Sequence, residues 1–523
     1  MISALSHLSR LAHTGFVFAR EGVFALVDTR PLPLPARIGI RLARLIERPS
    51  RKESAGRLAA ALTKLGPTYV KLGQFMATRP DVVGADIARS LESLQDRMPP
   101  FPQAQAEAVI AAAFDRPQTE VYASLGPAVA AASIAQVHKG EVIDNGERRP
   151  VAVKILRPGI ERRFAADLDA FFFAARTAEN MSLEAQRLRP VEAVATLARS
   201  VKIEMDFRLE AAAASEMAEN TKDDPDFRVP KVDWDRTARE VLTVEWIDGT
   251  PLNDRAALEA KGHDLPALGR NVIQSFLRHA LRDGFFHADM HPGNLFVDAD
   301  GRLVAVDFGI MGRLGPKERR FLAEILYGFI TRDYHRTAQV HFDAGYVPRH
   351  HSVEDFAQAI RAIGEPIHNR TAEDISMAKL LMLLFEVTGL FDMRTRPELL
   401  LLQKTMVVVE GVARTFDPKL DMWSTADPVV REWIARHLGP AGKLEGAVQG
   451  AGELGRFFGE VPSLLNRAGH LLDQVDDATR NGIVLSPETV EAIGKAEARH
   501  NRWTAAGLWM IALMLAWIAW LLY

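Results

Sequence analysis

Apolar residues recur every three or four positions over most of the chain, which is the spacing of helices that bury one face. This period covers residues ~1–48, ~54–115, ~160–220 and the chain beyond ~316, and it predicts a largely helical protein. Prolines, which cannot continue a helix, interrupt the first of these regions at Pro31, Pro33 and Pro35.

Short runs of β-branched residues predict the strands. Val142-Ile143 and Val151–Ile155 lie on either side of Asp144-Asn145-Gly146, and an Asn-Gly turn between two such runs predicts a β-hairpin. Further strands are predicted at Val241–Ile247 and Leu303–Val306. The order of helical start, β-rich part, connecting strand and helical remainder is that of a two-lobed protein kinase. We therefore expect an α+β, protein-kinase-like fold with nucleotide bound between the lobes.

The expected domains follow the same order along the chain. An N-terminal amphipathic segment and a helical extension precede the smaller lobe, which contains a helical insertion. The larger lobe, amphipathic juxtamembrane helices and a transmembrane helix come after it. The predicted ranges are 1–50, 51–118, 119–248, 249–440, 441–502 and 503–523.

The last residues of the chain carry no charge. Thr504–Tyr523 has about 20 uncharged residues, enough to cross a ~30 Å hydrocarbon layer as a helix, and a buried core helix is the alternative. Arg499, His500 and Arg502 precede this stretch, and basic flanks tend to stay in the cytoplasm. We therefore expect a C-terminal transmembrane helix that anchors a cytoplasmic kinase-like domain by a single pass.

The composition narrows the classes of function. Of the 523 residues, 25% are charged and 48% are hydrophobic, an ordinary globular balance, and the net charge of −3 provides no basic field for nucleic acid. The chain has no cysteine. Disulfides, thiolate zinc sites and cysteine nucleophiles are therefore excluded.

Two short motifs place a catalytic acid beside metal-binding groups. Asp289 and Asn294 are five positions apart in His-Ala-Asp-Met-His-Pro-Gly-Asn, the interval of a kinase catalytic loop, and Asp307 begins an intact Asp-Phe-Gly. In that chemistry the first Asp positions the acceptor, while the amide and the second carboxylate hold magnesium against the triphosphate. Two unrelated acidic turns are the alternative, but the motifs agree in type, order and spacing.

A lysine with an acidic partner completes this chemistry. Lys154 ends a Val-Ala-Val-Lys run, the pattern of the strand lysine that contacts the α- and β-phosphates. That lysine needs a carboxylate to hold it. Glu204 and Glu210 are the candidates, and the sequence leaves the choice open, with Glu204 favoured. Asp206 shares a helix face with Glu210.

An alanine-rich stretch occupies the position of a kinase glycine-rich loop. Each Cβ in Val129–Val137 limits how closely the backbone can approach a phosphate, so we expect altered nucleotide geometry and weak or slow phosphotransfer. Without its context this stretch would favour a helix. Farther upstream, Gly73 costs roughly 1 kcal/mol inside a predicted helix, which indicates a close approach or a functional contact.

Together these motifs resemble the UbiB/ABC1/ADCK family of atypical kinases. The resemblance rests on Lys71-x-Gly73-Gln74, the alanine-rich stretch, Val-Ala-Val-Lys, Glu204-x-Asp206 and the two catalytic motifs, in that order. It implies a protein-kinase-like fold whose N-terminal extension covers the cleft where a peptide substrate would lie. It also implies ATP with Mg²⁺ as cofactors and a role in ubiquinone biosynthesis at the inner membrane.

The resemblance also implies a role for each matching position. Asp289 would be the catalytic residue, and Asn294 and Asp307 would be the metal ligands. The residues that would gate the cleft are Lys71, Gly73 and Gln74. Those that would bind ATP are Lys154, Glu204, Asp206, Ala130, Ala131, Ala132, Ser133, Ile134, Ala135, Gln136, Val137 and His138.

The expected function is an ATP- and Mg²⁺-dependent kinase or ATPase that supports ubiquinone biosynthesis through lipid intermediates or the biosynthetic enzymes. Candidate partners are membrane lipid, ubiquinone intermediates, enzymes of that pathway and a second copy of the chain in a homodimer; nucleic acid is not expected. Two alternatives stay open. One is a small-molecule phosphotransferase, because the catalytic loop also resembles that of aminoglycoside phosphotransferases. The other is a catalytically weak membrane scaffold gated by nucleotide.

Overall fold

The computed structural model describes residues 2–26, 34–48, 54–77, 98–181, 189–367, 387–393 and 397–439, with the single positions 87, 91 and 186. Over these ranges the helices are α1 (Ile2–Arg20), α2 (Leu34–Arg44), α3 (Ser54–Leu65), α4 (Pro67–Ala77), α5 (Gln103–Phe114), α6 (Gln118–Val121), α7 (Ile160–Met181), α8 (Pro190–Glu204), α9 (Phe207–Asn220), α10 (Arg255–Ala260), α11 (Leu265–Arg278), α12 (Pro316–Thr331), α13 (Tyr334–Asp343), α14 (Val353–Gly364), α15 (Pro397–Phe416) and α16 (Met422–Leu438). The strands are β1 (Ser124–Ala131), β2 (Ala135–Asp144), β3 (Glu147–Leu156), β4 (Phe227–Arg228), β5 (Val241–Glu245), β6 (Thr250–Pro251), β7 (Phe285–His287), β8 (Leu295–Val297), β9 (Leu303–Ala305) and β10 (Met311–Arg313).

The smaller lobe is built on an antiparallel sheet in the order β1-β2-β3-β5. The turn residues between β2 and β3, Asn145 and Gly146, have φ of 53° and 85°, as a two-residue hairpin turn requires. The predicted hairpin is confirmed. Val151, Val153 and Ile155 of β3 are fully buried and pack against α5. Because side chains alternate along a strand, Lys154 lies on the other face of the sheet.

The N-terminal helices pack on the helical insertion of this lobe. Asp167 of α7 accepts a hydrogen bond from Thr68 Oγ1 at 2.7 Å and pairs with Arg10 Nη1 at 2.5 Å. Arg163, also on α7, donates to the carbonyl of Leu65 at 2.9 Å. These bonds join α1, α3 and α4 to α7, and α4 also contacts α8. The extension is therefore positioned by the insertion.

The larger lobe carries two small sheets, β4-β9-β8-β6 and β10-β7, among helices. Two helices of this lobe donate side-chain hydrogen bonds to backbone carbonyls on either side of β7. Thr405 of α15 donates to the carbonyl of Ala288 at 3.0 Å, and Trp433 of α16 donates to the carbonyl of Leu281 at 2.8 Å. The helical pattern beyond residue 316 is interrupted after Gly364, where α14 ends and a 3-10 turn follows.

The prediction of a membrane-spanning helix is not supported by the described part of the chain. Among the residues that the structure describes, no helix is both long enough and apolar enough to cross a bilayer. This finding contradicts the expected transmembrane helix and the single-pass inner-membrane anchor, and both predictions are withdrawn. The stretch on which they rested, 503–523, and the amphipathic region 441–502 lie outside the described residues. The other domain boundaries stay predictions.

Candidate active site

A buried lysine between two carboxylates forms the centre of the site. Lys154 Nζ donates to Oε1 and Oε2 of Glu210 at 2.8 and 3.0 Å. It also donates to Asp307 Oδ1 at 3.1 Å, although the two residues are 153 positions apart. The ammonium stands 5.4 Å from the centre of the Phe207 ring, close enough for a cation–π contact. Groups from distant motifs therefore meet in space.

The partner of Lys154 is Glu210, and the favoured choice of Glu204 is wrong. Glu210 lies in the first turn of α9, a helix that the side chain of Asp206 caps. Glu204 is the last residue of α8, and its Oε2 is 2.5 Å from Lys71 Nζ. Because the chain turns between the two helices, the two glutamates meet different lysines.

Burial and neighbouring charges perturb the pKa values of the three central groups. Burial opposes the charge on Lys154, but Asp307 and Glu210 outweigh it and raise the pKa of the ammonium. Burial raises the pKa of Glu210 to about 7, and Lys154 offsets this only in part. Burial acts to raise the pKa of Asp307, but the charge of Lys154 outweighs this effect and lowers the pKa to about 2. The Asp307 side chain is 49% exposed, so it is an ionised carboxylate open to the cleft.

The loop after β7 orders the candidate catalytic residue by its own hydrogen bonds. Asn294 Nδ2 donates to both the backbone oxygen and Oδ2 of Asp289, each at 3.1 Å. The Asp289 N–H donates to His287 Nδ1, so the other ring nitrogen carries the proton and donates to the Val306 carbonyl at 3.2 Å. Burial lowers the pKa of His287 and favours this neutral form. His287 thereby joins the catalytic loop to the strand that leads to Asp307.

The backbone at Asp307 adopts an uncommon conformation. Its φ is 63°, in the left-handed region that costs a non-glycine residue about 1–2 kcal/mol. The Val306 N–H donates to the Asn294 carbonyl at 2.8 Å on one side. On the other, buried Phe308 lies 5.4 Å from the ring centre of His287. These contacts hold a strained turn that presents the carboxylate, as is common at functional sites.

The alanine-rich stretch forms two strands and a tight turn. Ala130 and Ala131 end β1, Ala132–Ile134 form the turn, and the residues that begin β2 are Ala135, Gln136, Val137 and His138. The helix alternative is therefore excluded. A loop of the kind expected over the phosphates is limited to Ala132–Ile134, and its contact with ATP stays a prediction.

Arg157 fixes this turn, although no sequence motif identified it. Its Nε donates to the Ser133 carbonyl at 3.3 Å, and its Nη2 donates to the carbonyls of Ala132 and Pro99, each at 3.1 Å. The guanidinium lies 5.3 Å from the centre of the Phe101 ring. The turn is thus joined to the end of the N-terminal extension. The available signal was a basic residue just past the strand that carries the phosphate lysine.

Gln136 and His138 are buried in a chain of hydrogen bonds beneath the same turn. Gln136 Oε1 accepts from the Phe101 N–H at 2.8 Å, and its Nε2 donates to His138 Nε2 at 2.8 Å. The other ring nitrogen, Nδ1, must then carry the proton that it donates to the Gly126 carbonyl at 2.8 Å. The geometry gives both side chains a supporting role, and their assignment to ATP stays a prediction.

The three residues predicted to gate the cleft lie on α4, with Gly73 buried and Lys71 and Gln74 half-buried. Burial acts to raise the pKa of Asp307, and Lys154 outweighs it. The charge of Lys71 adds a smaller lowering of the same pKa. The extension therefore brings a second cation to the cleft.

Asp206, expected to bind ATP, pairs with Arg208 at 2.7 Å and caps α9, a structural use of this carboxylate.

The site has the groups that a magnesium–nucleotide needs. The amide nitrogen of Asn294 is used on Asp289, so its oxygen would be the ligand atom, and ionised Asp307 would offer a second oxygen of the kind that magnesium prefers. Lys154 supplies a fixed positive charge for phosphate. This arrangement can bind and orient a triphosphate beside the carboxylate of Asp289.

Comparisons with known proteins identify relatives of this chain. Residues 93–341 match the family described as the ABC1 atypical kinase-like domain, and residues 360–421 match the UbiB helical domain. A Marinobacter nauticus protein described as probable protein kinase UbiB is 41% identical over 480 residues, which is 91% of this chain and 85% of that protein. Proteins of the same description from Azotobacter vinelandii and Pseudomonas putida are 40% and 37% identical, covering 77% and 91% of this chain and 75% and 89% of their own lengths. A solved structure described as the Rv3197–erythromycin complex from Mycobacterium tuberculosis aligns with a TM-score of 0.48 and 24% identity, over 76% of this chain and 98% of that one.

Proposed function

The chain belongs to the UbiB family of ABC1-type atypical kinases, and from this membership we propose that it is an ATP- and Mg²⁺-dependent kinase or ATPase that supports ubiquinone biosynthesis. Its ATP turnover acts on lipid intermediates or on the biosynthetic enzymes. The observation that carries the proposal is the meeting of Lys154 with Glu210 and Asp307 at 2.8–3.1 Å.

Each central residue has a distinct task in this reaction. When bound, ATP would supply the phosphoryl group, and Mg²⁺ would neutralise the charge that develops on its oxygens. Lys154, oriented by Glu210, offers a preorganised positive charge to the phosphates. Asn294 and Asp307 would hold the ion. Asp289, oriented by the Asn294 amide, accepts the proton of the attacking hydroxyl or water.

The extension favours a small or lipid acceptor over a peptide. Lys71, on the helix that the family resemblance places over the cleft, pairs at 2.5 Å with Glu204 at the end of α8, and the two side chains are 12% and 15% exposed. Separating them would break an ion pair that is mostly buried, at a cost of up to about 3–5 kcal/mol. A peptide that needs this space would have to meet that cost. Ubiquinone intermediates are the proposed acceptors or cargo, and membrane lipid and the pathway's enzymes are the proposed partners.

Radiolabelled ATP and the purified chain provide the direct test. Lys154→Ala and Asp289→Asn should each lower phosphate release about 100-fold, which is roughly 2.7 kcal/mol of transition-state stabilisation. Lys139→Ala and Asp300→Asn are matched controls, because Lys139 lies on the neighbouring strand against Trp246 and the Asp300 side chain is 73% exposed. Both should keep normal turnover.

Cells that lack the protein test the pathway. Wild type and the two controls should restore quinone levels, whereas Lys154→Ala and Asp289→Asn should not. Normal quinone levels with Asp289→Asn would contradict a catalytic role. Label transferred to a small hydroxyl compound would instead favour a small-molecule phosphotransferase. A higher melting temperature with ATP and no phosphate release would favour a nucleotide-gated scaffold.

A further inference from the structure

A second cluster of ligand-type side chains lies on other elements of the larger lobe. His350 and His351 precede α14, and Asp392 belongs to the short described segment 387–393. His351 Nε2 is 3.2 Å from Asp392 Oδ2, and His350 Nε2 is 3.6 Å from the same oxygen. The centres of the two imidazole rings are 4.1 Å apart.

These separations match the spacing of ligands around one tetrahedral ion. With metal–ligand bonds of about 2.0–2.1 Å, two ligand atoms at the tetrahedral angle are about 3.3 Å apart. The two observed distances lie on either side of that value, and all three ligand atoms fall within 4.8 Å of one another. A hydrogen bond accounts for one imidazole at the carboxylate. It does not account for the second imidazole, whose ring is tilted by 39° to the first and whose Nε2 lies 3.6 Å from the same carboxylate oxygen.

The surrounding structure packs against one of these side chains and holds the backbone of another in an uncommon conformation. The His351 ring packs on Phe391 with ring centres 5.3 Å apart, and Phe391 packs on Phe356 at 5.0 Å inside a hydrophobic cluster. Asp392 has φ of 47°, a left-handed conformation that costs a non-glycine residue about 1–2 kcal/mol. His350 and Asp392 are 66% and 68% exposed at their side chains, so one side of the cluster faces solvent and can admit a water ligand.

We propose that His350, His351 and Asp392 form a binding site for a zinc-type divalent cation. Two imidazole nitrogens, one carboxylate oxygen and one water complete four-coordination. The ion would join the loop before α14 to the segment 387–393. The ligand types separate this site from the proposed magnesium–nucleotide site, because imidazole suits zinc whereas carboxylate and amide oxygens suit magnesium. The inference therefore does not depend on the proposed function.

Calorimetric titration with zinc chloride tests the proposal. The full-length chain carries no affinity tag, is first treated with chelator, and is titrated in excess magnesium so that sites made of oxygen ligands are occupied. Wild type should show one saturable site with a dissociation constant in the micromolar range. His350→Ala and Asp392→Asn should each weaken binding about tenfold or more, in line with loss of a direct ligand.

Two controls separate loss of a ligand from loss of the fold. His335→Ala removes another exposed histidine, which lies near Glu354, and it should leave zinc affinity unchanged. His350 is mostly exposed, so His350→Ala should keep the zinc-free melting temperature. Cobalt(II) provides an independent reading, since visible absorption bands of a low-coordinate complex should appear with wild type and vanish with His350→Ala. Absence of saturable binding, or the same isotherm for wild type and His350→Ala, overturns the proposal.

Discussion

Replacing Glu210 with glutamine should separate stability from activity. The carboxylate accepts two hydrogen bonds from Lys154 while its side chain is only 9% exposed. Burial raises its pKa to about 7, so the folded protein holds this charge against its preference for water. Glutamine keeps the shape and one acceptor oxygen, and it removes the charge.

The effects of this change on stability largely cancel. Removing one member of a buried ion pair costs about 3–5 kcal/mol when the other charge is left unpaired. Here Lys154 keeps Asp307 at 3.1 Å, and the carboxylate's desolvation penalty of several kcal/mol disappears. We therefore expect the free energy of unfolding to change by about 1 kcal/mol or less.

Activity has no such compensation. With only Asp307 to hold it, Lys154 competes with the metal for that carboxylate and loses its orientation toward phosphate. We expect turnover to fall about 100-fold, or roughly 2.7 kcal/mol in the barrier. Urea denaturation and initial rates of phosphate release measure the two quantities. Glu204→Gln is the matched control because Glu204 pairs with Lys71. If Glu210→Gln kept turnover within about twofold while Glu204→Gln abolished it, the assigned pairing would be refuted.

Three further predictions concern the extension, the turn and pH. Lys71→Glu and Glu204→Lys should each destabilise the fold by about 3–5 kcal/mol, and the double variant should recover most of that loss; a coupling energy near zero in the double-mutant cycle would contradict the pair. Arg157→Gln should raise the KM for ATP about tenfold with kcat nearly unchanged, because it frees the turn that it holds, and a loss confined to kcat would count against this role. Arg148→Gln, at a side chain 69% exposed on the same strand, should change neither constant. Stability should fall as the pH drops below about 6.5, since burial lowers the pKa of three histidines and the unfolded chain takes up those protons first, worth up to about 1.4 kcal/mol per pH unit for each. The raised pKa of Glu210 acts in the opposite direction and offsets about one of the three. The three histidines are His279, His287 and His341. Denaturation curves at several pH values measure the free energy of unfolding, and a value that does not change with pH would exclude this linkage.

Local spacing was sufficient to predict some features and not others. The hairpin at Asn145-Gly146 follows from the turn residues themselves, and the meeting of Lys154 with Asp307 follows from motifs that belong to one kind of site. The choice between Glu204 and Glu210 depends on where one helix ends and the next begins. Asp206 caps the start of α9 and so sets that point. The direction in which each glutamate side chain points then depends on how the two helices are oriented, which residue spacing does not give. Arg157 binds backbone carbonyls, which every sequence has, so no pattern of side chains could identify its partners.

The turn between α8 and α9 connects the extension to the phosphate lysine. Glu204 at the end of α8 binds Lys71 of the extension, and Glu210 in the first turn of α9 binds Lys154. The Asp206 cap makes the connection short and ordered. A displacement of α4 must therefore either break the Lys71–Glu204 ion pair, whose side chains are only 12% and 15% exposed, or carry the end of α8 with it. In the second case the start of α9 moves as well, and the hold on Lys154 changes. The two lysines thus respond to one structural element, so under the proposed function the position of the extension would bear directly on how phosphate is bound.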